Sequence, residues 1–299
     1  MSRRLAQQLG RLARDRTSGA AQLALQAVQA TEAWLERNSS PSEAQLEEVV
    51  VRLLRLQSSM APILRLANEV ALAADAPAHG RALAARLRGF RSGLERARGR
   101  IARQFVASLP KTPRATIATY SFSSTVIRAL AAARPRLAAV LVAESRPQLE
   151  GRVTAQKLAE AGVPVQYTTD AGLLGLMHSA QFLIVGADAV LSHAFVNKIG
   201  TRTAYLAARE AGVPVWVLSD ATKFLPEELA APFWRPSEGP LAQVWPRPPR
   251  GITVRSPLFE HTELASVRVF TEHGVLDPPE VRSAVEAVRI SPRLKRLAD

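Results

Sequence analysis

Asp188 has the clearest chemical setting in this chain. It stands just past an apolar run, Phe182-Leu183-Ile184-Val185, and Asn197-Lys198-Ile199-Gly200-Thr201 follows it and reads as the opening of a helix. A carboxylate at a strand's carboxyl end and a cationic helix start are the parts of a small-anion site. Arg146, in Glu144-Ser145-Arg146-Pro147 after a second apolar run, can grip a phosphate through two parallel N–H groups. Ser121, Ser123 and Ser124 lie where a further helix begins, and hydroxyls with free backbone amides bind phosphate oxygens. Lys223 follows another apolar run in Asp220-Ala221-Thr222-Lys223-Phe224. Asp188, Arg146, Lys198 and Lys223 therefore converge on one edge of a sheet in this reading. The blander alternative has Asp188 capping a turn and the cations facing solvent. His193, between Asp188 and Lys198, is a further candidate to touch a ligand. The five histidines show no metal spacing, so no metal is expected. No Gly-x-Gly-x-x-Gly or P-loop is present, and no cofactor is expected.

The elements that must position these residues alternate. Thr116–Thr119, Ala138–Ala143, Val163–Tyr167, Phe182–Val185 and Val213–Leu218 read as buried strands, with Val267–Phe270 closing the set. Helical stretches separate them, among them Ala155–Ala161 and Thr203–Glu210, and Gly162-Val163-Pro164 and Gly212-Val213-Pro214 are matching helix stops. Such alternation implies a parallel sheet with helices on both faces, which binds ligands outside the strands' carboxyl ends. Pro226–Arg250 is proline-rich and reads as a surface loop. The first third is helical. Ser40-Pro41-Ser42-Glu43 reads as a capping box with proline in the first turn. Leu83, Leu87, Phe90, Leu94, Ala97, Ile101 and Phe105 form one seam along a long helix. Leu109-Pro110-Lys111-Thr112-Pro113 is a linker-like break. The expected organisation is a helical domain over residues 1–109 and an α/β, Rossmann-like domain over residues 110–299.

Composition bounds the rest. The 299 residues are 47% hydrophobic, enough for a large core. No apolar run spans a bilayer and no signal-peptide core follows Met1-Ser2-Arg3-Arg4, so a soluble cytoplasmic protein is expected. The absence of cysteine excludes disulfides and thiolate chemistry. Net charge is +13, yet only five of the 39 basic residues are lysine. Arg81, Arg86, Arg88, Arg91, Arg96, Arg98, Arg100 and Arg103 share the long helix with the single acid Glu95. That face is a solvated helix surface or an electropositive surface for RNA or an acidic protein.

Several motifs resemble, in order, one superfamily. They are Glu144-Ser145-Arg146-Pro147 with Gly151-Arg152-Val153-Thr154-Ala155, Gly186-Ala187-Asp188, Asn197-Lys198-Ile199-Gly200-Thr201, Lys223-Phe224 and Ser256-Pro257-Leu258-Phe259-Glu260. The superfamily joins the alpha, beta and delta subunits of translation initiation factor 2B with methylthioribose-1-phosphate and ribose-1,5-bisphosphate isomerases. The resemblance implies a helical N-terminal domain, a site for a phosphorylated sugar or nucleotide, and a homodimer formed through the C-terminal domain. It also implies a catalytic aspartate at Asp188 and a catalytic cysteine at the position of Ser121. A glutamine of the family becomes Glu150. The Arg-Gly-Ala substrate loop resembles Ser18-Gly19-Ala20, with Arg16 nearby in place of its arginine. His193 stands where a glycine is usual. Lacking the thiol, the chain reads as a ligand-binding relative of the initiation-factor subunits. The alternatives are an aldose–ketose isomerase with Asp188 as acid–base and His193 assisting, or a basic RNA- or protein-binding scaffold.

Overall fold

The computed structural model describes residues 2–15 and 19–298. The chain forms two compact units. One comprises Met1–Arg96, Thr222–Arg235 and Ser283–Asp299, the other Ala97–Ala221 and Pro236–Arg282.

The first unit is built on helices. These are α1 (Arg3–Arg14), α2 (Ala20–Glu36), α3 (Glu43–Leu54), α4 (Ala61–Ala74) and the leading part of α5 (His79–Ser108). The capping box at the start of α3 lies two residues later than its sequence reading. Ser42 Oγ accepts from Gln45 N, and the Gln45 side chain accepts from Ser42 N. Both serines fit the serine-x-x-acid/amide spacing, and the helix begins where both reciprocal bonds close. The α4 helix is the hub, buried on nearly every face. Its Asn68 donates to Arg289 O at 2.9 Å and accepts from Ser291 N at 3.0 Å. Arg293 adds an ion pair to Asp75 at 2.7 Å and another to Glu43. These bonds return the C-terminal segment to α4, so this unit is assembled from distant parts of the chain.

The second unit opens with β1 (Ala115–Thr119), α6 (Ser124–Ala132), β2 (Leu137–Ala143), α7 (Glu150–Glu160), β3 (Val165–Thr168), α8 (Asp170–Leu176) and β4 (Phe182–Gly186). It continues through β5 (Ala189–Val190), β6 (Ala194–Lys198), α9 (Thr201–Glu210) and β7 (Val215–Leu218). The expected loop Pro226–Arg250 contains a short α-helix, α10 (Glu227–Phe233), in the first unit, and a single 3-10 turn at Leu241–Gln243 in the second. Strands β8 (Phe259–Glu263), β9 (Val267–Phe270) and β10 (Val275–Leu276) precede α11 (Pro278–Glu286) and α12 (Pro292–Ala298).

Seven strands pair in the order β10-β9-β7-β4-β1-β2-β3, all parallel except the β10 edge. This is the doubly wound order of a Rossmann-type sheet. Its strands read as continuous apolar runs because helices cover both faces. Phe105 of α5 drives into that core, edge-on to Trp216 at 6.0 Å and to Phe270 at 6.3 Å. The sequence reading missed a second, antiparallel sheet, β5-β6-β8. One consequence is a correction. Asn197 and Lys198 end strand β6, and α9 starts only at Thr201. Pairing with β8 holds Ala194–Lys198 extended over five residues. A two-residue strand and a register set by a partner some sixty positions away leave little local signal.

Candidate functional site

Order in the sheet reverses between β1 and β4, and in doubly wound sheets the ligand crevice lies at such a point, beyond the strands' carboxyl ends. The turn leaving β1 carries Ser121 with φ 66°, a left-handed conformation for a non-glycine residue. Two bonds pin it. Ser121 N donates to Ser145 Oγ at 2.8 Å, and Thr154 Oγ1 donates to Ser121 O at 2.8 Å. The β1 turn is thereby clamped by the β2 turn and by α7. Ser123 caps α6, accepting from Val126 N at 3.4 Å, and Ser124 is the first residue of that helix. A side chain at Gly186, the end of β4, would meet Ser123 Oγ at 2.7 Å, so glycine lets the start of α6 seat on β4. Asp188 lies two residues on, half-buried, with its amide donating to Val196 O at 2.7 Å.

The side chains meet in a chain of polar contacts. Ser121 Oγ donates to Glu150 Oε2 at 3.2 Å. The same carboxylate oxygen is 2.7 Å from Lys198 Nζ, which also donates to Gln148 Oε1 at 2.7 Å. Lys198 is almost fully buried, its side chain 3% exposed, with the Phe259 ring 5.7 Å from its ammonium. A buried ammonium requires this compensation, because leaving it unpaired away from water costs several kcal/mol. Glu150 supplies the charge and Gln148 a further acceptor. The crevice thus joins Ser121, Glu150 and Lys198, with Ser123, Ser124, Asp188 and Asn197 at the neighbouring strand and helix ends. Asn197 Nδ2 donates to Thr201 Oγ1 at 3.0 Å and ties β6 to α9.

Helix α9 does not offer an open anion seat. Glu260 Oε1 accepts from Gly200 N at 2.6 Å and from Arg202 N at 2.8 Å, so a carboxylate of the chain already fills the helix start. This corrects the sequence reading of a free cationic helix terminus. Glu260 reaches it from β8, which only tertiary pairing reveals.

Arg146 takes partners other than those of Lys198. Its backbone N and that of Ser145 donate to the Asp170 carboxylate at 2.8 and 2.7 Å. Its guanidinium donates to Gln243 O at 2.9 Å. With Tyr120, Asp170, Leu174, Gly200 and Ser256 it lines a cleft of about 410 Å³, which also takes in Ile199, the residue after Lys198. Burial, reinforced by the neighbouring Asp170 carboxylate, pushes the Tyr120 phenol pKa up, so the hydroxyl stays protonated. His193 sits exposed at the turn between β5 and β6, its ring 3.4 Å from Ser192 Oγ. Lys198 is five strand steps further on, which at about 3.3 Å each is roughly 16 Å. Buried Lys223 belongs to the first unit, as does Gly19, which precedes α2. Arg16 and Ser18 lie outside the described residues. Among the described residues no group of three or more acids and histidines could hold a metal ion.

Gln148, Ser145, Asp170 and Glu260 escaped sequence reasoning. Asp170 carried one signal, an acid just past the strand Val165–Thr168. Ser145 and Gln148 carried none beyond standing beside Arg146.

A doubly wound sheet with polar residues gathered at its switch point, in a chain that also carries a helical unit, defines a class that comparison with known proteins identifies. The chain belongs to the initiation factor 2 subunit family, IF-2B, whose profile matches residues 1–278. It is similar to ribose 1,5-bisphosphate isomerase of Archaeoglobus fulgidus, 34% identical over 155 residues, covering 50% of this chain and 49% of that protein. It is also 35% identical over 158 residues to 5-deoxyribose 1-phosphate isomerase of Moorella thermoacetica, covering 50% and 45%. The chain therefore spans about half the length of these relatives in the matched region. The crystal structure of translation initiation factor eIF-2B of Pyrococcus horikoshii OT3 superposes with a TM-score of 0.76 at 26% identity, covering 93% of this chain and 98% of that one. No helix among the described residues is long and apolar enough to cross a membrane.

Proposed function

We propose that the second unit binds a phosphorylated sugar or nucleotide in the β1/β4 crevice and does not turn it over as its isomerase relatives do. The observation that carries this reading is the Ser121–Glu150–Lys198 chain. An aldose–ketose isomerase must move a proton between adjacent carbons or oxygens of its substrate. A serine hydroxyl ionises far less readily than a thiol and cannot take over a thiolate's part. Ser121 donates its proton to Glu150, and Glu150 is engaged by Lys198. The same parts suit binding: a buried cation, a carboxylate that accepts from sugar hydroxyls, and the serine-lined start of α6 toward a phosphate. Copies of the chain pair through this unit.

A thermal-shift screen of ribose 1,5-bisphosphate, 5-methylthioribose 1-phosphate and nucleoside monophosphates tests the reading. A compound that binds only the folded state raises the melting temperature, by about 2.7 kcal/mol of stabilisation at a hundredfold its Kd. A hit lost in Lys198→Ala and Asp188→Asn supports the crevice; no hit in the whole set counts against it. The 34% identity to an isomerase supports a second reading, with Asp188 and Glu150 as the acid–base pair. Robust conversion of ribose 1,5-bisphosphate that disappears in Asp188→Asn would establish that one instead.

A further inference from the structure

The second unit carries a basic surface that the crevice does not use. Between Glu95 and Glu144 the chain has no acid, and it has nine basic residues. The fold concentrates several of them. A side chain at Gly99 of α5 would lie 3.7 Å from Arg128 Nη2, on α6, and 3.8 Å from Arg103 Nη1. Two guanidinium groups thus approach one spot on the α5–α6 surface, and among the described residues neither Arg103 nor Arg128 takes part in an ion pair. Arg100, Arg103, Arg128 and Arg134 are all exposed, as are Lys111 and Arg114 in the segment after α5. Arg136 of this set is used inside the fold, donating to Val106 O and to Leu109 O at the end of α5, and Arg96 donates to Ser92 O one turn back along that helix.

Like charges this close repel unless an anion shares them, and an internal carboxylate would have served had stability been the only demand. The surface also lacks the parts of a protein interface. None of the exposed large apolar residues falls between Ala97 and Ala143, so no apolar centre is available to bury against a folded partner. Exposed aromatics for stacking unpaired bases are missing there too. What remains is a field of arginine forks, suited to rows of phosphate oxygens and indifferent to base identity.

We propose that the α5–α6 face around Arg100, Arg103 and Arg128 docks the phosphate backbone of double-helical nucleic acid, without sequence preference. It does not depend on the ligand proposed for the crevice.

The experiment is fluorescence anisotropy of a labelled duplex RNA of about 20 base pairs, titrated with the whole chain at roughly 50 and 200 mM salt. Wild type should bind at the lower salt and lose affinity steeply at the higher. Arg100→Glu/Arg103→Glu/Arg128→Glu should weaken binding by about tenfold or more and lower the slope of log K against log salt by about one for each phosphate no longer neutralised. Arg268→Glu/Arg282→Glu/Arg289→Glu removes the same net charge elsewhere and should bind much more tightly than the first variant. Equal loss in the two variants would reduce the effect to net charge and overturn the site. Absence of saturable binding by wild type would overturn the proposal, as would equal displacement of the RNA by polyglutamate, which would point to an acidic protein instead. Should the charge-reversed variant melt early, Arg100→Gln/Arg103→Gln/Arg128→Gln gives the same reading with less repulsion. Thermal-shift response to sugar phosphates, unchanged in these variants, keeps this test separate from that of the crevice.

Discussion

Glu150 decides the electrostatics of the crevice. Its carboxylate takes up the charge of Lys198, so an incoming phosphate meets an ammonium already matched at 2.7 Å. Glu150→Gln keeps an acceptor for Lys198 and removes the negative charge. A phosphorylated ligand is then expected to bind on the order of tenfold more tightly, about 1.4 kcal/mol, just under the scale of one charged hydrogen bond. Calorimetry showing equal or weaker binding would count against a phosphate near Lys198. The residues that make this site were largely visible in the sequence, since Ser121, Glu150, Asp188 and Lys198 all stood in recognisable motifs. Their pairing was not. The contact between Lys198 and Glu150 joins positions 48 apart and depends on where β6 turns its side chains. His193 shows how little sequence nearness fixes, for it is five positions from Asp188 and stands exposed at the turn between β5 and β6.

At the level of elements, Gly200 fixes how β6 passes into α9. It has φ 96°, and a side chain there would meet Tyr120 Oη at 2.1 Å. Gly200→Ala should therefore destabilise by about 2–4 kcal/mol, from backbone strain together with the clash. The ring Cζ would still lie 2.6 Å away in Tyr120→Phe, so the ring itself must go: in a Tyr120→Ala background Gly200→Ala should cost less than it does in wild type, and urea unfolding of the four chains of that cycle measures it. If Gly200→Ala costs the same in both backgrounds, the clash is not the cause. A second element, the turn after β9, holds Glu272. Burial, and next the Asp220 carboxylate, raise its pKa above 4.5, against the opposing effects of its own backbone, the Ala221 amide and His273. The folded chain holds this proton more tightly than the unfolded one. Its stabilisation is therefore complete below about pH 4.5 and is lost as pH rises through the folded value. Glu272→Gln should unfold at higher urea than wild type at pH 7, with the gain gone near pH 4. A difference that stays constant with pH would contradict this.

For the whole molecule, the apolar residues left outside cores point to self-association. Leu176 of α8 is 40% exposed, Leu206 of α9 is 43%, and Val244 and Trp245 are 43% and 44%. Helices α8 and α9 pack together, so Leu176 and Leu206 belong to adjoining surfaces of one unit. Apolar surface of this kind is commonly covered by a second copy in a two-fold pair. Light scattering is expected to give twice the chain mass of 32.4 kDa at micromolar concentration, and Leu206→Glu to return the monomer. A monomeric wild type would dismiss the pairing.

The sequence by itself determined the class of this protein. Alternating apolar runs and helical stretches require a parallel sheet, because each run must be covered on both faces, and the polar residues just past those runs then fall at the sheet's carboxyl edge. Strand identities, the seam of the long helix and the position of Asp188 followed from local pattern, which carries the periods of helix and strand. Tertiary structure alone decided which partners the charges take. Lys198 is matched by Glu150, the start of α9 is filled by Glu260, and Arg146 turns toward Gln243. Each of these bonds spans tens of residues, and no local period records it. The antiparallel sheet was hidden for the same reason: β5 has only two residues, and β6 is held extended by β8, more than sixty positions further on.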